Sequence, residues 1–92
     1  MLENKKAVFE VGKIVAFRII TGDEIIGEIT LLDKESITIR KPCGLQIQPQ
    51  TGEIGLAPAT VLGDPMKDVA YQRNAILAVM EPREDAVKSY QD

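Results

Sequence analysis

Few residues in this chain can carry chemistry. It has 92 residues, no histidine, and one cysteine, Cys43. There is no imidazole to act as a general base or to ligate a metal. A lone thiol forms neither an intrachain disulfide nor a zinc cluster, and without a histidine to activate it Cys43 reads as an inert packing thiol. No nucleophile motif, glycine-rich phosphate loop or metal-spaced cluster occurs. The fourteen acidic residues are scattered over turns and termini, and no pair stands out for acid–base work. The expectation is a protein that is not an enzyme and has no cofactor or bound metal.

Charge and composition narrow the remaining classes. Eleven basic against fourteen acidic residues give a net charge of −3. A dedicated nucleic-acid binder usually has a basic excess, because neutralised phosphates supply most of its affinity. The excess acid is partly terminal. Glu81, Glu84, Asp85 and Asp92 face only Arg83 and Lys88 in the last twelve residues, which leaves −1 for residues 1–80 of the total −3. A local basic patch is therefore compatible with the composition. A hydrophobic fraction of 45% marks a globular chain, and its length suits one domain. The apolar runs are too short to span a bilayer, and the first residues lack a signal-peptide core. With one free cysteine, the expected location is the reducing cytoplasm.

The positioning elements read mainly as strands. From Lys13, Val15, Phe17 and Ile19 alternate with Ile14, Ala16, Arg18 and Ile20. Thr21-Gly22-Asp23 is a tight turn with glycine at its positive-φ position. In the second strand Ile25, Gly27, Ile29 and Leu31 form one face, opposite Glu24, Ile26, Glu28 and Thr30. A mid-strand glycine marks a bend or a close backbone approach. Asp33-Lys34-Glu35-Ser36 is a polar turn, followed by a third strand with Ile37 and Ile39 inward. Pro42 interrupts that strand, and Cys43 to Gln48 resume it after a bulge. Pro49 to Gly52 is a turn. Ile54 to Val61 is an edge strand at best, because of Pro58. Asp68 to Arg73 alternates weakly, Asn74 breaks the pattern, and Ala75 to Met80 form the last strand. Pro82 begins a terminal helix whose Glu84 and Asp85 suit its dipole, with Val87 and Tyr90 on one face. The result is one domain: an N-terminal arm or short helix over 1–12, a small all-β barrel over 13–81 holding an insertion at 49–67, and a helical tail over 82–92.

Gly22, Gly27 and Asp33, at offsets of five and six, make Val15 to Arg40 resemble the Sm1 motif of the Sm-like proteins. Arg73 to Val79 resembles the Sm2 region. The spacing after Asp33 is closer to the bacterial riboregulator Hfq than to the eukaryotic Sm proteins. The Thr21 to Ile26 hairpin and the Pro82 to Tyr90 tail are similar to small uncharacterised Sm-like proteins of marine tailed phages, which would place the chain in a host cytoplasm. The resemblance covers about two thirds of the chain. It implies a five-stranded barrel of strongly bent strands with short terminal helical segments. It also implies a cyclic homo-oligomer of five to seven subunits that binds single-stranded uridine- or adenosine-rich RNA around its pore.

By the same resemblance, RNA contacts come from the turn after strand two and the turn before the last strand. The candidates are Asp33, Lys34, Ser36, Arg73 and Asn74. Asp33 occupies the position that holds the loop by hydrogen bonds. Lys34 or Ser36 would meet a base or phosphate. Arg73 would clamp a phosphate or stack on a base, and Asn74 offers an amide to a base edge. Glu35 stands where Hfq has a stacking aromatic, and a carboxylate neither stacks a base nor attracts a phosphate. That departure, with the acidic charge, keeps a second expectation open: a structural or protein-interaction ring without a nucleic-acid role.

Overall fold

The computed structural model describes residues 9–60 and 62–92. Up to position 8, the anticipated arm or short helix lies outside the described residues, as does Val61. The remainder is mainly β: β1 (Ile14–Ile19), β2 (Glu24–Leu32), β3 (Ser36–Ile47), β4 (Ile54–Pro58), β5 (Val69–Gln72) and β6 (Ile76–Met80), followed by one helix, α1 (Glu84–Gln91). All pairings are antiparallel, in the order β4-β3-β2-β1-β6, with β5 also on β3. The expected five-stranded closed barrel is corrected on two counts. There are six strands, because the region expected to be an insertion supplies β4. The sheet is not closed, because no ladder joins β5 to β6 among the described residues. A 3₁₀ turn, Arg73–Ala75, lies between them instead.

The long third strand explains this layout. Its first part pairs with β5 from Ser36↔Gln72 to Ile39↔Val69, and its second part with β4 from Cys43↔Pro58 to Ile47↔Ile54. Between these parts the register against β2 jumps from Ile26↔Cys43 to Glu28↔Arg40, so β3 carries one extra residue. Lys41 takes up the bulge at φ 46°, a left-handed conformation uncommon for a non-glycine residue. Pro42, read as an interruption, sits inside a continuous strand at this bulge, where its missing N–H matters least. Its carbonyl accepts from Ala59 N at 2.9 Å.

A second bulge corrects the face assignment of β2. Ile29↔Ile39 is followed by Leu31↔Thr38, so here β2 carries the extra residue. The alternation flips, Leu31 turns out to 53% exposure, and Leu32 packs against the core instead. Val15, Phe17, Ile25, Ile29, Ile37 and Ile39 form that core. Each such side chain contributes about 1.5–3 kcal/mol on burial. Phe17 meets Tyr71 edge to face at 5.2 Å between ring centroids.

The helix α1 begins one residue after Arg83, with Glu84 and Asp85 in its first turn and Lys88 in its last. Its expected apolar face docks through Tyr90, which is buried. The Tyr90 hydroxyl accepts from Glu28 N at 3.0 Å and donates to the Arg40 carbonyl, bridging β2 and β3 beside the Lys41 bulge.

Candidate functional site

The β2–β3 turn and the 3₁₀ turn before β6 lie together, because β5 brings Gln72 opposite Ser36 at the start of β3. The first turn is closed by Asp33 N donating to the Ser36 carbonyl at 3.0 Å. The second is tied to it twice through Arg73. The Arg73 backbone N–H donates to the Glu35 carbonyl at 2.9 Å, and its Nε donates to the Asp33 carbonyl at 2.9 Å. Five residues singled out in sequence therefore fall in one region: Asp33, Lys34 and Asn74 exposed, Ser36 and Arg73 half-buried.

The geometry gives these residues unequal parts. Asp33 and Glu35 act here through their backbone carbonyls, which fix Arg73. Lys34 and Asn74 have no hydrogen-bond partner among the described residues and point no bond inward. Arg73 spends one of its five donors on Asp33 and keeps its Nη groups without an acceptor among the described residues. Lys34 and Arg73 are balanced in formal charge by Asp33 and Glu35, so the region carries no net formal charge from these four residues.

Sequence reasoning missed Phe9. The segment before β1 turns at Gly12, whose φ of 92° needs a glycine. Gly12 N then donates to the Ile29 carbonyl at 2.7 Å, and Ile29 N donates to the Lys13 carbonyl at 3.0 Å. That attachment to β2 carries Phe9 back onto the core edge, where its ring centroid lies 5.7 Å from the Arg73 guanidinium carbon. The site thus has an aromatic ring, supplied from the start of the chain and not from position 35. The available signal was scarcity: Phe9 is one of only four aromatic residues.

Burial pushes the Cys43 thiol above its ordinary value, against a smaller opposing pull from Lys41, so it is a poorer nucleophile than a free thiol. Burial likewise raises the phenols of Tyr71 and Tyr90. No group of three metal-ligating acids or cysteines is found among the described residues. No described helix is long and apolar enough to cross a membrane.

Two further surfaces stand out. On the β3–β4 hairpin, Leu45 opposes Leu56 and Ile47 opposes Ile54, so these four share one face, and Leu45, Ile47 and Ile54 are exposed. Beside this face, a cleft of about 230 Å³ runs between Ile26, Leu45, Leu56, Met80, Pro82 and Ala86. The outer edges of β4 and β6 have no strand partner among the described residues. A scan against models of known protein families found no match to the chain, and a search of curated proteins found none either.

Proposed function

We propose that this chain is an Sm-like protein, an open version of the bent barrel, that assembles into a cyclic homo-oligomer of five to seven subunits and binds single-stranded RNA at the paired turns. The observation that carries the reading is the joining of the Asp33–Ser36 turn to the Arg73–Ala75 turn through Arg73. It gathers the polar residues of the two Sm-like motifs into one surface. The ring reading rests on the edges of β4 and β6, which have no strand partner among the described residues, each on a five-residue strand. Edges of this kind favour pairing between copies, and a head-to-tail pairing closes into a ring when the rotation permits.

Light scattering at micromolar concentration should report a mass at least five times the 10.1 kDa of one chain. Oligo-U and oligo-A binding should then be read by fluorescence anisotropy at low salt. A monomer defeats the ring, and an assembled ring that binds neither homopolymer defeats the RNA reading.

A second reading, a structural or protein-interaction ring, is favoured by the apolar hairpin face and by the charge. A ring of six would carry about −18 and would repel RNA at long range. Under this reading the ring assembles, and both oligonucleotides fail to bind.

A further inference from the structure

Arg73 is constrained on three sides. Its backbone N–H is bonded to Glu35, its Nε to the Asp33 carbonyl, and its guanidinium lies against the Phe9 ring at 5.7 Å. A long side chain on a turn ordinarily samples many rotamers, and binding must order it. Here the plane and the Nε edge are already set, and the Nη edge has no acceptor among the described residues.

We infer that Phe9 is a positioning residue that holds Arg73 as a fixed fork, and that the fork takes one phosphodiester group of a single strand, not a base. The inference rests on the RNA reading above and narrows it. The Nη pair, without an acceptor among the described residues, offers two parallel N–H donors, which match two oxygens on one phosphorus. Among the unpaired bases, guanine (O6 and N7) and cytosine (N3 and O2) present two adjacent acceptors to such a fork. Uracil and adenine do not, so in a uridine- or adenosine-rich strand the matching group is the phosphate. The Arg73 guanidinium carbon lies over the Phe9 ring at 5.7 Å, and the cation–π attraction holds the group toward that side. The adjoining Asp33 and Glu35 charges offset Lys34 and Arg73, so orientation must do what net charge does not.

The test uses the assembled wild-type protein and a short oligo-U that occupies one site. Arg73→Gln should flatten the dependence of log affinity on log salt by about 0.7, the loss of one phosphate contact on a single strand. Arg73→Lys keeps the charge and should keep that slope while weakening binding about tenfold, because a point charge is not a fork. Phe9→Leu should behave like Arg73→Lys, and Phe9→Tyr should match wild type, because it restores the ring. Thermal melting of each variant separates lost packing from lost positioning, and Arg73→Lys leaves Phe9 and the core intact. Replacing the phosphodiesters by neutral methylphosphonates should abolish the difference between wild type and Arg73→Lys. The inference is overturned if Arg73→Lys or a folded Phe9→Leu binds as tightly as wild type, or if oligo-G is preferred and the methylphosphonate strand is bound equally well. In those cases the RNA reading survives without it. If wild type binds no oligonucleotide, the RNA reading itself falls and takes the inference with it.

Discussion

Replacing Gly27 by alanine tests how the sheet achieves its bend. The φ of Gly27 lies outside the left-handed region, so the constraint is space and not backbone strain. A Cβ built there overlaps the Ile39 Cγ2 methyl and lies 3.1 Å from the Arg40 carbonyl oxygen. Ile39 is fully buried at the centre of the core and cannot swing away into solvent. Overpacking of this kind costs about 1–3 kcal/mol. Stiffening the unfolded chain returns about 0.4–1 kcal/mol. The net expectation for Gly27→Ala is a loss of roughly 1–2 kcal/mol, and several kcal/mol for Gly27→Val. In a domain of this size each kcal/mol lowers Tm by about 4–8 °C. Urea and thermal unfolding should be run at one fixed protein concentration, since assembly shifts apparent stability. Ile39→Leu removes the offending branch at a cost below about 1.5 kcal/mol. The double variant Gly27→Ala with Ile39→Leu should therefore be less destabilised than the sum of the two singles. Additive costs, or a Gly27→Ala variant as stable as wild type, would show that the β2–β3 approach at this point is not what requires glycine.

Further perturbations probe the remaining contacts. Tyr90→Phe keeps the ring but strands the Glu28 N–H and the Arg40 carbonyl, and should cost about 1–3 kcal/mol, with earlier hydrogen exchange in α1 than in β1. Raising pH should destabilise the fold. The raised thiol of Cys43 and the raised phenols of Tyr71 and Tyr90 contribute stability that is whole below their ordinary values of 9.0 and 10.0, and it is lost as pH climbs through the higher folded values. Tyr90→Phe should make the melting temperature less sensitive to pH above 10, and an unchanged profile would show that this phenol does not contribute. Arg73→Ala should weaken oligo-U or oligo-A binding by about 1–3 kcal/mol, the scale of one stacking or charged contact. Glu35→Tyr should strengthen it, and binding indifferent to both variants would place the RNA on another surface.

The strands and the core were legible where period two is undisturbed. Val15 and Phe17, Ile25 and Ile29, and Ile37 and Ile39 all point inward as alternation requires. The bulge in β3 was legible because Pro42 marks it, but the bulge in β2 was not, since no proline or glycine stands at Ile29 to Leu31 to mark it. The bulge between Ile29 and Leu31 exchanged the roles of Leu31 and Leu32, and Lys41, a residue with no left-handed preference, absorbed the kink beside Pro42. At the candidate site, the two turns were singled out through resemblance. Their bonding to each other through Arg73, and the arrival of Phe9, depend on pairings between distant segments that a linear reading does not contain.

Gly27, Lys41 and Tyr90 were read separately in sequence, as a bend, an unremarked lysine and a helix-face residue, yet they are parts of one joint. Gly27 lets β2 approach Ile39 and Arg40 closely. The extra residue at Lys41 then turns β3 away toward β4. At the bend Tyr90 supplies one hydroxyl that satisfies the Glu28 N–H and the Arg40 carbonyl together. Its ring also lies under the Lys41 ammonium at 5.6 Å, covering the outside of the kink. A hydroxyl can do both because it donates once and accepts as well, which neither phenylalanine nor a shortened tail reproduces. The C-terminal helix is thus tied to the position where β3 changes partners from β5 to β4. β5, on the near side of that change, leads directly into the Arg73 turn, so β3 carries both the joint and one half of the candidate site.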